Sequence, residues 1–345
     1  MKREAGGLTE RLPNEEEFYK ALEKADLSAF WQVIPQLPKT ERKPMLWRWD
    51  EVKPLLELSG QLIRAEEAER RVLLFANPQN RASTTSTLTA SVQMVLPGES
   101  APAHRHTMGA IRFILSGRGA FTNVNGEKVH MQPGDLILTP SWSWHDHGNE
   151  TEEPVIWLDG LDSPLVRSLH ADLFETYIQQ VHPVDKSEGY SRNRVGNGFV
   201  RPSKSVEKGE KLAFIYPWKE VYNELMRHAE EPGDPYDGVI LEYVNPVTGS
   251  SVLPTIDCHI QLLRPHESTR THRHMGSTIY HVVKGEGVSM VDDQRIVWKE
   301  GDTFSLPSWV WHSHAHAGKG EAVLFSFTDQ PVLKALDLYR TEEQQ

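Results

Sequence analysis

Two stretches of the chain set histidines in the same three-point pattern: His104-Arg105-His106 with His145, and His272-Arg273-His274 with His312. Successive residues of a strand point to opposite faces, so two histidines one residue apart face the same way and a third, from a neighbouring strand, can close a cluster. Trios of imidazoles suit zinc, iron, copper or nickel better than magnesium or calcium, which prefer oxygen. A lone histidine carries no such meaning. The same spacing met twice makes a metal-sized pocket in each copy the first expectation.

The two copies align over about forty residues. Gly117, Gly134, Pro140, Trp142, Trp144 and His145 match Gly285, Gly301, Pro307, Trp309, Trp311 and His312, with one residue lost between the two glycines of the second copy. A period of roughly 170 residues is too long for a solenoid and fits two ordinary domains.

Short apolar and β-branched runs surround the histidines: Arg71 to Ala76, Ser91 to Leu96, Ile111 to Leu115, Leu136 to Leu138 and Val155 to Leu158. Pro97-Gly98, Asn125-Gly126 and Pro133-Gly134 punctuate them. The second half repeats the scheme with Val239 to Val244, Cys258 to Leu263, Ile279 to Val283, Arg295 to Trp298 and Ala322 to Phe327. Many short strands between turn residues predict an antiparallel sandwich or barrel. Helices are expected at the amino end: one capped by Asn14 with Glu17 and carrying Phe18, Leu22 and Leu27, another from about Asp50 to Leu58 stopped by Gly60. The predicted fold is therefore all-β, with a helical arm over 1–64, a first barrel over 65–162, a connector over 163–235 and a second barrel over 236–345. The connector is expected to hold a helix near Pro164 to Val181, and the arm to cover a sheet edge or a neighbouring subunit.

With 345 residues, 38% hydrophobic and 25% charged, the chain can bury two cores. Its formal charge of -11 argues against nucleic acid, whose phosphates need a basic surface, and favours a small substrate. No run of eighteen apolar residues and no signal-peptide core occurs, so no membrane partner is expected. Cys258 stands alone, which fits a reducing cytoplasm and an inert strand thiol.

Gly98, His104, His106 and Gly117 resemble the first cupin motif, and Gly134, Pro140, His145 and Asn149 the second. The chain thus resembles a bicupin, two double-stranded β-helix (jelly-roll) barrels that can each hold a metal inside. The glutamate that many cupins place between the second histidine and the glycine is missing: Ala110 fills that slot in the first copy and Thr278 in the second. Three neutral imidazoles leave the ion its full charge and, in an octahedral shell, three open positions. Such a site can take a chelating anion and dioxygen, whereas a structural site would be closed.

Arg112 lies an even number of positions from His104, His106 and Ala110, so on one regular strand it would share their inward face. A guanidinium inside a barrel needs an anion, and a planar carboxylate suits its paired donors. The alternatives are a rim position or a structural ion pair with Asp159. Asp159 ends the run Val155-Ile156-Trp157-Leu158 and Gln93 sits within Ser91 to Leu96; each is either a hydrogen-bonded structural residue or pocket lining. The second copy has Tyr280 where the first has Arg112, so the two pockets are expected to differ. The tryptophans of SWSWH and SWVWH, present in both, read as packing.

Taken together, HRHTMGAIRFILSG, PGDLILTPSWSWHDHGNE, HRHMGSTIYHVVKG, GDTFSLPSWVWHSHAH and the arm segment WRWDEVKPLLELSG resemble the iron-dependent ring-cleaving bicupin family that includes gentisate, salicylate and 1-hydroxy-2-naphthoate dioxygenases. The resemblance implies that His104, His106 and His145 bind ferrous iron, and that Arg112, Gln93 and Asp159 line the substrate pocket. Gentisate, the first expected substrate with O2 as co-substrate, would be held by its carboxylate and adjacent hydroxyl and opened to maleylpyruvate. Arg112 would orient the carboxylate and stabilise developing negative charge. His147 could move a proton near the site or lie at the surface. A homotetramer is implied, and a single working iron, in the first barrel, although His272, His274 and His312 keep full ligand spacing. The competing expectations are a salicylate or 1-hydroxy-2-naphthoate dioxygenase, a zinc or manganese isomerase, and a non-enzymatic ligand-binding or storage bicupin.

Overall fold

The computed structural model describes residues 15–33, 43–64, 71–78, 83–196 and 212–344, in two compact units, 1–41 and 42–345. In the first, the predicted amphipathic helix forms over Glu15–Lys24. Its proposed cap, Asn14, lies outside the described residues, and Leu27 falls past its end, beyond Asp26 at φ 53°. A short helix, Phe30–Val33, follows, and Trp31 stacks on Phe18.

The second unit holds two barrels of one design, each a six-stranded sheet facing a five-stranded one, with every named strand pair antiparallel. In the first barrel the larger sheet runs Ile215–Tyr216, Leu136–Thr139, Ala110–Ser116, Val155–Leu161, Thr89–Val95, Arg71–Leu74. The smaller runs Phe174–Thr176, Ser100–His106, His145–Gly148, Phe121–Val124, Glu127–His130. The second barrel matches this strand for strand. Its larger sheet centres on Thr278–Lys284, Ala322–Thr328 and Asp257–Leu263, and its smaller on Glu286–Val291, His312–Ala315 and His272–His274.

Both faces of the larger sheets are buried, which is why their strands read as continuous apolar runs. On Val155–Leu161, Val155 and Trp157 point into the first barrel with Val95, Ile114 and Met131. The alternate residues Ile156 and Leu158 join Ile111 and Phe113 in a core shared with Cys258, Ile260, Ile279, Phe325 and Phe327 of the second barrel. Phe113 and Phe325 stack across this seam with centroids 4.2 Å apart, an arrangement that adds about 1 kcal/mol beyond burial. Gly160 is required there: a Cβ would lie 2.7 Å from the Phe327 ring and 2.8 Å from Ile111.

Each barrel also borrows strands from segments outside its own repeat. Met45–Trp47 precedes the first barrel yet pairs with Thr303–Leu306 of the second, and Ile215–Tyr216 precedes the second yet pairs with Leu136–Thr139 of the first. The helices that follow are anchored alike: the Trp49 and Trp218 amides each donate to a buried aspartate, Asp302 and Asp135, at 2.9 Å. The arm thus covers a sheet edge, as expected, but by supplying a strand to the far barrel. Its helix extends over Trp49–Leu62, and Gly60 does not stop it. The glycine instead permits close packing, since a Cβ there would sit 2.7 Å from Met94 Cε. In the connector the expected long helix is wrong: Ser163–Ser168 is helical, His170 turns the chain at φ 52°, and Phe174–Thr176 then pairs with Ser100–His106. An edge strand with unpaired backbone groups outcompetes weak local helix propensity. Among the described residues no helix is long and apolar enough to cross a membrane.

Candidate metal centre

His104 and His106 sit on Ser100–His106, and His145 begins the neighbouring strand directly opposite His104. All three are buried, and one ligand atom from each lies within 4.8 Å of the others. Each Nδ1 faces a main-chain carbonyl: Pro102 at 2.8 Å, Met108 at 2.8 Å and Ser143 at 2.9 Å. A carbonyl can only accept, so each Nδ1 carries the hydrogen and each Nε2 keeps its lone pair for the centre of the cluster. His145 Nε2 is buried with no hydrogen-bond partner among the described residues. Burial, then the neighbouring charges of His104, Arg112 and His106, hold the His145 pKa well below its usual value. Neutral, fixed imidazoles around a buried orphan nitrogen fit a divalent transition metal.

The arginine between the two histidines must face outward, and the repeated tryptophans explain how it is held. The Arg105 guanidinium lies over Trp142 at 4.3 Å and Trp144 at 4.5 Å and bonds Glu175. Arg273 repeats this with Trp309, Trp311 and Glu342. The tryptophans are indeed packing, and they clamp the strand that carries two ligands.

Arg112 does point inward, though not by the route that counting along one strand implies. The segment Thr107 to Gly109 carries the chain into the opposite sheet, so Arg112 faces the triad across the barrel. Its cross-strand neighbour is Asp159, with Nε to Oδ1 at 3.4 Å, and both side chains are more than nine-tenths buried. The guanidinium also donates to Thr139 Oγ1. The Asp159 ion pair and the inward position are therefore both real. Gln93 pairs in register with Trp157, and its buried Nε2 has no hydrogen-bond partner among the described residues.

Sequence reasoning left His147 undecided, and the structure removes the surface option: it is buried, 5.8 Å from the His145 ring and 5.3 Å from Trp157, with Nδ1 on Thr122 Oγ1. Thr139, Thr122 and Phe174, whose ring stacks on His104 at 5.2 Å, were not foreseen. Phe174 comes from the connector, 68 residues beyond His106, and no local signal marks it. In the second barrel His272, His274 and His312 also gather their ligand atoms within 4.8 Å. Tyr280 and Ser326 stand where the first barrel has Arg112 and Asp159, so the charge pair is lost as a unit.

The cupin-domain family model matches residues 91–160 and 259–328, the two histidine-bearing repeats. Gentisate 1,2-dioxygenase 1 of Aquipseudomonas alcaligenes is 38% identical over 333 residues, 94% of this chain and 95% of that protein. The 5-aminosalicylate 1,2-dioxygenase of a Comamonas species is 39% identical over 336 residues, 94% of this chain and 89% of that one. A crystal structure of salicylate 1,2-dioxygenase from Pseudoaminobacter salicylatoxidans with gentisate superposes with a TM-score of 0.87 at 31% identity, covering 98% of this chain and 96% of that one. The repeat, the fold, the buried triad and likeness over nearly the whole length agree, and the chain belongs to the bicupin family of ring-cleaving dioxygenases that includes gentisate 1,2-dioxygenase.

Proposed function

We propose that the first barrel is a gentisate 1,2-dioxygenase site, opening 2,5-dihydroxybenzoate between its carboxyl-bearing carbon and the hydroxylated neighbour. Gentisate and O2 combine atom for atom into maleylpyruvate. The observation that carries the reading is a triad of neutral imidazoles facing a buried guanidinium, Arg112, across the barrel. His104, His106 and His145 would hold ferrous iron, which when bound supplies the electron relay and the common site for the acid and oxygen.

The chain's own groups do the rest. Arg112 binds the substrate carboxylate through its paired donors, and Asp159 fixes the guanidinium's plane. Gln93 directs its unpartnered amide N–H to a substrate oxygen, because a buried donor left unmade is costly. Thr122 Oγ1 meets His147 Nδ1 and holds that buried ring beside His145, where it would take the proton of the substrate 2-hydroxyl. The buried wall of Trp157, Ile114 and Val155 keeps water from the ring.

A second reading is favoured by the 5-aminosalicylate relative. That substrate keeps the carboxylate and adjacent hydroxyl and changes only the 5-substituent, which Arg112 would not sense. The reading also takes the protein to be a cytoplasmic homotetramer, supported by the lone buried Cys258 and by the exposed stripe Leu55, Leu58 and Leu62 on Trp49–Leu62. Light scattering would then give about four times the 39.2 kDa chain mass. The deciding experiment is oxygen uptake by iron-loaded and iron-stripped protein with gentisate, 5-aminosalicylate, salicylate and 1-hydroxy-2-naphthoate. Iron-dependent, one-to-one consumption of gentisate and O2 is expected. Turnover of a rival acid with none of gentisate would overturn the assignment.

A further inference from the structure

The Arg112 guanidinium is held by more than its ion pair. Asp159 meets Nε at 3.4 Å, longer than the 2.7–2.9 Å of a well-made charged hydrogen bond. Attraction at that distance keeps the charge in place and constrains its angle only weakly. A second hold is directional: Nη1 donates to Thr139 Oγ1. Thr139 is buried on Leu136–Thr139, directly opposite Ala110 and therefore diagonal to Arg112. Diagonal neighbours on one sheet face lie within reach of a long side chain, and Ala110 leaves the space between them open. Pro140 follows Thr139 and keeps its backbone extended, while β-branching restricts the side chain to few rotamers. The acceptor is thus set before any substrate arrives.

The second barrel shows what the hydroxyl goes with. The counterparts of Arg112, Asp159 and Thr139 there are Tyr280, Ser326 and Leu306, with Leu306 opposite Thr278 as Thr139 is opposite Ala110. Leucine cannot accept a hydrogen bond. The strand and the proline after it, Pro307, are nevertheless kept. A strand at this place needs no hydroxyl to fold, so the hydroxyl belongs with the guanidinium.

We infer that Thr139 is a positioning residue for cleavage of the acid: its hydroxyl, with Asp159, sets the angle at which Arg112 meets the substrate carboxylate. Thr139 thereby extends the reading of the first barrel on which this role rests. A planar guanidinium grips a carboxylate through two parallel N–H donors only when the two planes coincide. Anchors on two different nitrogens, Nε and Nη1, stop that plane from turning. Without Thr139 the cation stays near Asp159 but takes orientations that offer the carboxylate one donor instead of two. The substrate then shifts relative to the triad, and small displacements of this kind cost rate. A neutral acceptor holds the guanidinium without cancelling its charge, whereas a second carboxylate would leave little for the substrate. A glutamate in the Ala110 slot, on the same face as Arg112, would have that effect.

Thr139→Val keeps the shape and removes the acceptor, and Thr139→Ser keeps the acceptor. Both would be iron-loaded as full-length protein, with metal content measured by plasma mass spectrometry and turnover by oxygen uptake. Thr139→Val should match wild type in iron content and lose about ten- to a hundredfold in kcat/KM on gentisate, the range for a hydrogen bond to a charged group. Thr139→Ser should stay within about threefold of wild type, since the charged donor keeps its partner. In the Arg112→Tyr, Asp159→Ser background the valine substitution should change kcat/KM by less than about twofold, because no guanidinium is left to position. Unchanged kcat/KM in Thr139→Val would overturn the inference, as would loss of iron in proportion to activity. An equal loss in Thr139→Ser would reduce the residue to packing, and the same loss in the Arg112→Tyr, Asp159→Ser background would separate it from Arg112; either result overturns the role. If Thr139→Val does not fold, Thr139→Ala carries the same comparison. Failure of the underlying reading shows in the wild type instead, as absence of gentisate turnover. The variant ratios are then read on whichever related acid is consumed, and consumption of none would remove both.

Discussion

Replacing Arg112 with tyrosine and Asp159 with serine, singly and together, converts the first barrel's charge pair into the residues that the second barrel carries at the same positions. At 3.4 Å and an effective dielectric of about 20, the attraction is roughly 5 kcal/mol. Desolvation offsets much of that in the intact pair, but removing one partner strands the other charge in a buried site, at a cost of about 3–5 kcal/mol. Each single variant should therefore lose about 3–5 kcal/mol in urea unfolding at neutral pH, while the double variant should lose less than either single one, far short of the sum of the two. Turnover should separate from stability. Arg112→Tyr and the double variant should both lose about 100- to 1000-fold in kcat/KM on gentisate, the effect of removing a preorganised charged donor. Asp159→Ser keeps the guanidinium but frees its plane, so it should lose about 10- to 100-fold. Saturating gentisate, added anaerobically, should raise the midpoint of Asp159→Ser more than that of wild type, because the ligand supplies the missing anion. Additive stability losses would refute the pair as a unit. Retention of wild-type kcat/KM by Arg112→Tyr would refute the substrate role.

Three further outcomes test the scaffold and the centre. Phe113→Ala should cost about 3–5 kcal/mol and loosen both barrels in one transition, since Phe113 stacks on Phe325 across the shared core; two separate transitions with only one shifted would count against a common seam. His145→Ala should abolish first-barrel metal and gentisate turnover together while changing far-ultraviolet dichroism little, and retained turnover would remove the triad from the chemistry. His281 is buried at the seam on Thr303 Oγ1, and burial lowers its pKa from 6.5 to about 4. The unfolded chain takes up the proton that the folded one refuses, so this contribution is complete above pH 6.5, falls between 6.5 and 4, and amounts to about 3 kcal/mol. In metal-free protein His281→Gln should flatten that window in urea midpoints, and an unaltered pH profile would disprove the attribution.

The sequence by itself determined the duplication, the two trios and most strands of the larger sheets, though not Thr303–Leu306 or the two exchanged strands. Those strands were legible because both their faces are buried, one in a barrel and one at the seam, so Val155 to Leu158 or Ala322 to Phe327 appears as an unbroken apolar run. Several strands of the smaller sheets were not. His145–Gly148 and Phe121–Val124 turn polar side chains inward for the site, which erases the alternation that marks a strand. Only the tertiary structure decided that Arg112 faces the triad from the opposite sheet, that His147 is buried, and that Met45–Trp47 and Ile215–Tyr216 are exchanged between barrels. Each of these depends on pairing between segments far apart in the chain. Composition and local periodicity report how buried a residue must be, whereas the partner it meets is set by which sheet its strand joins.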